Sequence, residues 1–461
     1  MCLHLGYIIK IMYNILRMYK NGTRVPCSNK LKEKTMLNVL IKNAKVYHEN
    51  TLKQADMLVL NGTVSSVGAD IAASENVPVV DAKGLFILPG FADVHVHLRE
   101  PGFFYKETIA TGTQAAAKGG FTLVCSMPNL NPVPDSAENM ALQQEIIDRD
   151  AVIRVLPYAS ITKGEKGAEL VNFRELYDKC FAFSDDGKGV QTDAMMLAAM
   201  EKAKALGKPI VAHCEDESLL FGGYIHDGEY ARLHGHRGIC SESEWKQVER
   251  DIDMVRKTGV QYHVCHISTK ETVDLVRRAK AEGLPVSCET APHYLAFCDM
   301  ELEEHGRWKM NPPIRSAADR DALIKGVQDG TIEIIATDHA PHSEEEKSRG
   351  LEKSNMGVVG IETSFAAMNT YMVKRGYITM EKLAQIMSIN PRTKFGLPSG
   401  ITVGEKADFV LVDPDREFVV DSADFVSKGK FTPFLGKTLY GDVLLTVFDG
   451  KAVYNKIEDI K

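Results

Sequence analysis

The sequence lacks the features that would place it among membrane proteins, nucleic-acid-binding proteins or disulfide-rich secreted proteins. No apolar run reaches the roughly 18 residues that a membrane-spanning helix needs. The formal net charge is -7, which argues against nucleic acid or an anionic membrane as the main partner. The nine cysteines include no CxxC pair and are odd in number, so we expect reduced thiols in a cytoplasmic protein.

Length and composition fit a soluble globular protein with more than one structural module. The chain has 461 residues, of which 44% are hydrophobic and 25% are charged, the ordinary balance of such proteins. A chain of this length accommodates a barrel of about 250–300 residues plus a second module.

The first 35 residues differ in composition from the rest of the chain. They carry seven Lys or Arg side chains against the single acidic residue Glu33, a net charge of +6, which leaves -13 for the remainder. Strand-like patterning begins only at Met36, a residue able to initiate translation. We therefore predict that residues 1–35 are an N-terminal extension outside the fold, either an upstream start of translation or a basic arm that docks a partner.

The central part of the chain alternates short apolar strands with helix-like stretches, the pattern of a parallel sheet with crossover helices. Eight such units over about 300 residues fit a closed (β/α)8 barrel, the TIM barrel. The charged stretch Ser343–Lys353, which follows the eighth strand, is either a solvated loop or an active-site lid. The predicted strands are Phe91–His97, Phe121–Ser126, Ile153–Tyr158, Phe181–Ser184, Pro209–His213, Tyr262–His266, Pro285–Glu289 and Glu333–Thr337.

Both chain ends consist of short strand-like segments with tight turns. Asn61-Gly62 is a hairpin signal between two apolar runs, and similar text, ITVGEKADFVLVD and VLLTVFDGKAVY, returns near the C-terminus. The predicted fold class is therefore α/β, a (β/α)8 barrel with a small β-sandwich module formed by both chain ends. The predicted boundaries are 1–35 for the extension, 36–88 and 396–461 for the two parts of the β module, and 89–395 for the metal-dependent barrel.

Two histidines at the end of the first predicted strand form a candidate metal site. Side chains alternate along a strand, so His95, His97 and Arg99 share one face, and imidazoles about 6–7 Å apart along it can grip one ion. An HxH pair alone is a weak signal. His234-Gly-His236 has the same spacing but lies in a Gly-rich loop, where we expect a surface turn.

Further potential ligands occur at the ends of four other predicted strands. The carboxyl ends of barrel strands meet at one rim, where barrel enzymes place their active sites, so we expect a metal centre there. Imidazole and carboxylate donors without a thiolate pair suit zinc or a similar divalent ion, and two ions sharing an acidified water would supply a nucleophile. The four clusters are Ser184-Asp185-Asp186-Gly187, His213-Cys214-Glu215-Asp216, His263-Val264-Cys265-His266 and Thr337-Asp338-His339-Ala340-Pro341-His342.

A set of longer motifs runs through the predicted barrel. PGFADVHVHLREPG is followed by SMPNLNPVPD, LPYASIT, FAFSDDGKGVQ, VAHCEDESL, YHVCHISTKET, KMNPPIRS and ATDHAPHSEEEK. Together these motifs resemble the dihydroorotase form of the amidohydrolase superfamily, in the bacterial type that exists as a separate chain. The resemblance covers Leu40–Tyr454 and implies a hydrolase that acts on cyclic amides.

The resemblance implies two zinc ions per chain that share one aspartate. Hydantoinases, allantoinases and the other type of dihydroorotase bridge their metals with a carboxylated lysine, and here the matching strand offers Asp186 instead. Asp185 is then expected to be structural. The implied ligands are His95, His97 and Asp186 for one ion and Asp186, His213 and His266 for the other.

The resemblance also implies a set of substrate contacts. Arg99 lies on the strand face of the metal ligands, and the family uses it with Asn129 and His342 to hold the substrate carboxylate. By themselves Asn129 and Asn311, both next to prolines, are typical of turns. The implied substrate-binding residues are His97, Arg99, Asn129, Asn311, His342 and the backbone of Met356 and Gly357, where Met356 replaces a more usual aromatic residue.

The implied reaction is the reversible closure of N-carbamoyl-L-aspartate to (S)-dihydroorotate, the third step of de novo pyrimidine synthesis, with Asp338 as the proton shuttle. One alternative is a hydantoinase or allantoinase, against which Arg99, Asn129 and Asp186 argue. The other is a non-catalytic barrel of the kind that accompanies aspartate transcarbamoylase. The sequence leaves open whether the chain forms a homodimer and whether it associates with aspartate transcarbamoylase.

Residues 1–35 are expected to be dispensable for folding and catalysis, because they offer no sustained apolar alternation that would pack on the β module. A chain that starts at Met36 should match the full chain in melting temperature and in turnover. A drop of several degrees on truncation would show that the segment packs on the fold.

Overall fold

A computed structural model describes residues 35–72, 75–398 and 400–457 of the chain. The predicted extension, residues 1–35, lies outside these ranges except for Thr35. Within them the protein is a mixed α/β structure, which confirms the predicted α/β class. None of the helices in the described ranges combines the length and the apolarity that crossing a bilayer requires.

The strands fall into an outer group near the two chain ends and an inner group between them. In chain order they are β1 (Val39–His48), β2 (Thr51–Leu60), β3 (Thr63–Gly68), β4 (Val79–Asp81), β5 (Phe86–Pro89), β6 (Phe91–Val96), β7 (Phe121–Ser126), β8 (Arg154–Pro157), β9 (Ile210–Ala212), β10 (Ile225–His226), β11 (Gly238–Ile239), β12 (Tyr262–Val264), β13 (Val286–Thr290), β14 (Ile334–Ile335), β15 (Phe409–Val419), β16 (Thr438–Phe448) and β17 (Lys451–Asn455).

The α-helices lie mainly between the inner strands. They are α1 (Ile109–Lys118), α2 (Ala137–Asp150), α3 (Phe173–Leu176), α4 (Asp193–Ala205), α5 (Glu229–His234), α6 (Glu242–Thr258), α7 (Lys270–Ala281), α8 (Pro292–Ala296), α9 (Ala317–Asp329), α10 (Glu344–Lys347), α11 (Gly350–Lys353), α12 (Ser364–Met368), α13 (Met380–Ala384) and α14 (Asn390–Lys394). Helix α6 shows why they form: Val248, Ile252 and Val255 recur at helical spacing and are buried, and the helix ends at Gly259 with φ 63°.

Strands from both chain ends share one eight-stranded sheet. Its order is β17-β16-β15-β5-β1-β2-β3, with β4 paired to β1. The predicted hairpin at Asn61-Gly62 is present, because β2 and β3 pair antiparallel and both turn residues have positive φ. Asp449-Gly450 forms the equivalent turn between β16 and β17. A Cβ at Gly62 would lie 2.7 Å from the oxygen of Gly450, so the two turns need glycine to pack against each other.

The inner strands pair in parallel. One sheet has the order β6-β7-β8 and another β14-β13-β12-β9. Single parallel bridges connect them, from Ala159 through Phe183 to Ile210 on one side and between Val96 and His339 on the other. The parallel pairing therefore runs through all eight predicted strand segments, and His339, just beyond the eighth, pairs with the first. The carboxyl ends of neighbouring strands accordingly lie on the same side.

The fourth predicted strand, Phe181–Ser184, is wrong as a full strand, because only the bridge at Phe183 is formed there. The chain turns immediately afterwards. Asp185 Oδ1 accepts hydrogen bonds from the backbone nitrogens of Ile161 at 2.7 Å and Thr162 at 3.1 Å. This side-chain anchoring to the neighbouring loop ends the strand and leaves Asp186 free to point elsewhere.

The charged stretch Ser343–Lys353 forms the two short helices α10 and α11 rather than an irregular loop. Its Lys347 is almost fully buried and donates to the backbone oxygens of Lys309 at 2.9 Å and Asn355 at 2.7 Å. The stretch is therefore tied to the segment around Lys309, and the interpretation as a wholly solvated loop is wrong.

Candidate metal centre and substrate pocket

Histidines from the ends of three inner strands converge on Asp186. His95 lies in β6 and His97 just beyond it, while His213 directly follows β9 and His266 follows β12 after Cys265. Oδ1 of Asp186 lies 3.3 Å from Nε2 of His95, 3.6 Å from Nε2 of His266 and 3.7 Å from Nδ1 of His213. Oδ2 lies 3.4 Å from Nε2 of His97. All five side chains are buried, so this cluster forms a polar centre inside the protein.

The donors form two groups of three that share Asp186. One is His95, His97 and Asp186 and the other is Asp186, His213 and His266, and within each the donor atoms lie within 4.8 Å of one another. Several buried donors have no hydrogen-bond partner in the described part of the chain. They are His95 Nε2, His213 Nε2, His266 Nδ1 and Asp186 Oδ1. Of these atoms, Nε2 of His95 and Oδ1 of Asp186 face each other at 3.3 Å. Unpaired buried acceptors are costly, so this donor set fits a bound divalent ion.

Glu289 orients His95 and was not singled out from the sequence. Its Oε1 lies 2.8 Å from Nδ1 of His95 and its Oε2 lies 3.0 Å from Nε2 of His263. A carboxylate only accepts, so Nδ1 of His95 carries a proton and the ring turns Nε2 towards Asp186. The signal was available, because Glu289 is the last residue of the seventh predicted strand.

A third donor group, His95, Cys265 and Glu289, does not fit a further metal centre. Nδ1 of His95 is already bonded to Glu289. Burial raises the pKa of the Cys265 thiol, which disfavours the thiolate that a metal would bind. Cys265 is instead part of the apolar core between the strands.

Asp93 joins the first inner strand to the segment after the last. Its Oδ1 accepts from the backbone nitrogen of His95 at 3.0 Å, and its Oδ2 accepts from Oγ1 of Thr337 at 2.5 Å. Burial raises the pKa of Asp93 to about 7. Sequence reasoning missed this residue, although it lies two positions before His95 and therefore on the same face of the strand as the HxH pair.

Asp338 lies at the edge of the histidine cluster without belonging to either donor group. Its Oδ1 is 3.1 Å from Nε2 of His97 and 3.6 Å from Nε2 of His95. Burial raises the pKa of Asp338, but the bond to His97 and the charges of His95 and His266 outweigh it and lower that pKa to about 2. The carboxylate is therefore ionised at neutral pH and can accept a proton.

Three residues in or beside the histidine cluster have left-handed backbone conformations. The φ angles are 61° for Arg99, 31° for His266 and 46° for Asp338. Non-glycine residues rarely adopt such values, and the cost is of order 1–3 kcal/mol each. The surrounding structure therefore overrides the local backbone preference at all three positions. The unusual backbone changes the direction of these side chains after their strands end.

Arg99 is a buried cation without an acidic partner. Its Nε donates to the backbone oxygen of Pro341 at 3.2 Å, and Nη1 lies 3.5 Å from Oδ1 of Asn129. Within the described ranges no carboxylate pairs with its guanidinium, although only 8% of the residue is exposed. A buried unpaired charge is unfavourable, so the arrangement suits an anionic ligand.

Asn129 and His342 lie beside Arg99. Oδ1 of Asn129 is 2.9 Å from Nδ1 of His97, which leaves Nε2 of His97 free to face Asp186. Nε2 of His342 lies 3.5 Å from Nη2 of Arg99 and 2.7 Å from the backbone oxygen of Met356. The predicted carboxylate-binding residues are thus brought together next to the histidine cluster.

The remaining predicted contacts already have partners within the protein. Nδ2 of Asn311 donates to Oε2 of Glu215 at 3.0 Å, and Oε2 of Glu215 also lies 3.7 Å from Nε2 of His213. The backbone nitrogen of Gly357 donates to the oxygen of Lys309 at 3.1 Å. Oδ1 of Asn311 is buried without a partner in the described residues, so it is the atom of this group that is free to meet a ligand.

Asp185 and the second HxH pair, His234 and His236, lie outside the histidine cluster. Asp185 anchors the backbone of Ile161 and Thr162, as described above, and does not face the histidines. His234 ends helix α5 at the surface, and His236 pairs with Glu304 at 2.8 Å. Spacing alone therefore did not distinguish the two HxH pairs, whereas their position on a buried strand end or a surface turn did.

Comparisons with known proteins agree with this chemistry. Residues 84–272 match the family model described as dihydro-orotase-like. A curated dihydroorotase from Fusobacterium nucleatum is 46% identical over 424 residues, which cover 92% of this chain and 100% of the relative. A dihydroorotase from Halalkalibacterium halodurans is 47% identical over 92% of this chain and 99% of its own length.

Solved structures of cyclic amide hydrolases share the fold. An L-hydantoinase (dihydropyrimidinase) from Arthrobacter aurescens superposes with a TM-score of 0.82 at 26% identity, covering 92% of this chain and 97% of that one. A dihydropyrimidinase from Brevibacillus agri gives a TM-score of 0.79 at 24% identity, covering 91% and 95%, and supports the fold alone. The curated dihydroorotases are far more similar in sequence than the hydantoinases, and they match over nearly their whole length. The chain therefore belongs to the dihydroorotase family.

Proposed function

We propose that the chain catalyses the reversible closure of N-carbamoyl-L-aspartate to (S)-dihydroorotate with loss of water, the third step of de novo pyrimidine (UMP) synthesis. The observation that carries this proposal is the buried guanidinium of Arg99, which has no carboxylate partner among the described residues. It lies beside the cluster of side chains that could hold a metal. The cluster suits attack of water on an amide, and the guanidinium suits a substrate that carries a carboxylate. Family membership supports the same reaction.

We propose two zinc ions per chain, with Asp186 shared between them. The first would be held by His95, His97 and Asp186, and the second by Asp186, His213 and His266. The convergence of the four imidazoles on Asp186 supports both ions, and the unpaired Nε2 of His95 and Oδ1 of Asp186 support the first. When bound, such ions would lower the pKa of a shared water and polarise the ring carbonyl.

Asp338 is the proposed proton shuttle. Its ionised Oδ1 lies against the edge of the donor cluster and belongs to neither donor group. In hydrolysis it accepts the proton released from the attacking water and passes it to the ring nitrogen as the carbon–nitrogen bond breaks. Ring closure is the reverse and converts a free carboxylate to an amide, so it consumes a proton and is favoured at low pH.

The substrate carboxylate is assigned to Arg99, Asn129 and His342, which lie together beside the cluster. His97 is assigned to substrate as well as metal, because its ring contacts Asn129 of the proposed carboxylate site at 2.9 Å. The ring is assigned to Asn311 and to the backbone of Met356 and Gly357. Ligand contact at Met356 and Gly357 would require those groups to share or exchange their present bonds to His342 and Lys309.

We also propose a (β/α)8 barrel for residues 89–395, supported by the parallel pairing that returns from the eighth strand segment to the first. Residues 36–88 and 396–461 would then form the β module, in which both chain ends share one sheet. Its sandwich form, the cytoplasmic location, a homodimer and association with aspartate transcarbamoylase stay predictions.

A hydantoinase-like activity is the nearest rival, because hydantoinase structures share the fold. Hydantoin lacks the carboxylate that Arg99 would bind. Turnover of dihydroorotate and of hydantoin on one sample of known zinc content separates these functions, and we expect dihydroorotate to be strongly preferred. A chain that binds no metal and turns over neither compound would instead be a non-catalytic partner.

Replacement of Asp186 by alanine should remove both metal ions or nearly so, because each donor group then loses its shared carboxylate. Metal analysis of purified Asp186→Ala measures this directly. Asp216→Ala is the matched control, since Asp216 follows the same strand as His213 but caps a turn at Ser218. Retention of two zinc ions by Asp186→Ala would contradict the assignment.

Replacement of Asp338 by alanine should leave metal content unchanged and lower turnover by roughly 100-fold or more, because the proton relay is lost. Asp338→Asn keeps the shape and should be comparably impaired, which separates proton transfer from packing. Near-normal turnover in either variant would refute the role.

Replacement of Arg99 by methionine should weaken the use of dihydroorotate far more than that of dihydrouracil, a ring amide without the carboxylate, because the charged contact is made only with the former. The ratio of kcat/KM for dihydroorotate to that for dihydrouracil, compared between Arg99→Met and the wild type, measures this difference. Arg237→Met, which removes an exposed arginine paired with Glu352, should change neither. An equal loss on both substrates would indicate a structural role for Arg99.

A further inference from the structure

Lys106 lies between the proposed carboxylate site and helix α10, and no role has been assigned to it so far. It belongs to the loop after β6, and 12% of its side chain is exposed. Its Nζ lies 3.1 Å from Nδ1 of His342 and 3.0 Å from Oε1 of Glu346. Lys106 therefore touches the ring nitrogen of His342 that is not the one beside Arg99.

The neighbours of His342 select one tautomer of its ring. A lysine ammonium has donors only, so Nδ1 accepts from Lys106 and carries no proton. Nε2 lies 2.7 Å from the backbone oxygen of Met356, which only accepts, so Nε2 carries the proton. Two independent contacts, one at each ring nitrogen, thus indicate the same neutral Nε2–H form.

Glu346 would favour a different protonation state if Lys106 were absent. Its Oε2 lies 3.3 Å from Nδ1 of His342. A carboxylate cannot donate a hydrogen bond to an unprotonated nitrogen, so Glu346 alone would draw a proton onto Nδ1. Lys106 prevents this by pairing with Glu346 and by donating to Nδ1 itself.

The charges around His342 also favour a neutral ring. Burial lowers its pKa to about 3, together with the cations Arg99, Lys106 and Lys347 that face it from the β6 loop and helix α10. Glu346 is the acidic group that faces the same ring from α10. Loss of Lys106 would remove one of these cations and leave the carboxylate unbalanced.

Nε2 of His342 and Nη2 of Arg99 both carry protons and lie side by side, and the Nε2 proton would reach a ligand there by exchanging its bond to the oxygen of Met356. The two nitrogens are 3.5 Å apart, and two donors cannot bond to each other. They can instead share the oxygens of one carboxylate. The position of the imidazole proton therefore decides whether His342 assists Arg99.

We propose that Lys106 is a positioning residue that holds His342 as the neutral Nε2–H tautomer and so completes the site for the substrate carboxylate. The identity of the anion rests on the proposed function, whereas the tautomer rests on the contacts of His342 alone. Glu346 holds Lys106 in place through Oε1, to which the hydroxyl of Tyr105 also donates at 3.2 Å.

Nitrogen NMR of the full chain with labelled histidine reads the tautomer, with His342→Asn identifying the resonances. In the wild type at pH 7, Nδ1 of His342 should be unprotonated and Nε2 protonated. In Lys106→Met the proton should move from Nε2 to Nδ1, because Glu346 is then the remaining partner of Nδ1 while burial and Arg99 still favour a neutral ring. Lys106→Arg should restore the wild-type state. An unprotonated Nδ1 in Lys106→Met would overturn the proposal.

Kinetics distinguish positioning from a general loss of structure. In Lys106→Met the KM for dihydroorotate should rise on the order of 10-fold with little change in kcat, and Lys106→Arg should recover most of the loss. Lys118→Met, which removes a similarly shielded lysine paired with Glu362 at 3.0 Å, should change neither constant. An unchanged KM in Lys106→Met would overturn the substrate role.

The two measurements also separate this proposal from the proposed function. If the zinc-loaded wild type does not turn over dihydroorotate, the proposed function fails and the substrate role of Lys106 fails with it. The NMR comparison still decides whether Lys106 sets the tautomer of His342, because that readout needs no substrate.

Discussion

The enclosure of one carboxylate by four imidazoles is the interaction on which the rest of the site depends. Asp186 is buried, and each of its oxygens faces histidine nitrogens at 3.3 to 3.7 Å. A buried charge is stable only if it is paired and its remaining lone pairs are used. The strands that bring these histidines to one edge therefore create a site that favours bound cations. The unpaired Nε2 of His95 and Oδ1 of Asp186, which face each other, are the direct sign of it.

The hydrogen bonds behind the histidines decide which nitrogen faces Asp186. Glu289 accepts a hydrogen bond from Nδ1 of His95, and Oδ1 of Asn129 accepts one from Nδ1 of His97, so both rings turn Nε2 towards Asp186. The same principle extends to His342, where Lys106 and the backbone of Met356 fix the proton at Nε2. A chain of acceptors and donors outside the centre thus sets the chemistry inside it.

The segments that would contact substrate are held together by lysines acting on backbone oxygens. Lys347 donates to the oxygen of Lys309, which also accepts from the nitrogen of Gly357, and Lys309 donates in turn to the oxygen of Glu352 at 2.7 Å. Burial, with Lys309 nearby, lowers the pKa of Lys347 to about 7. These bonds join the segment that bears Asn311 to the one that follows β14 and hold the two side by side.

The sequence by itself determined the α/β class, the strand ends that carry the histidines and the family, because alternation and motif spacing are local properties of the chain. It missed Glu289 and Asp93, which look like ordinary strand residues until the strands are side by side. It also could not foresee the buried Lys347 or the contact of Lys106 with His342, residues 236 positions apart in the chain. Tertiary structure alone decided these, because burial and hydrogen-bond partners depend on which distant segments meet, and partners fix each ring's proton.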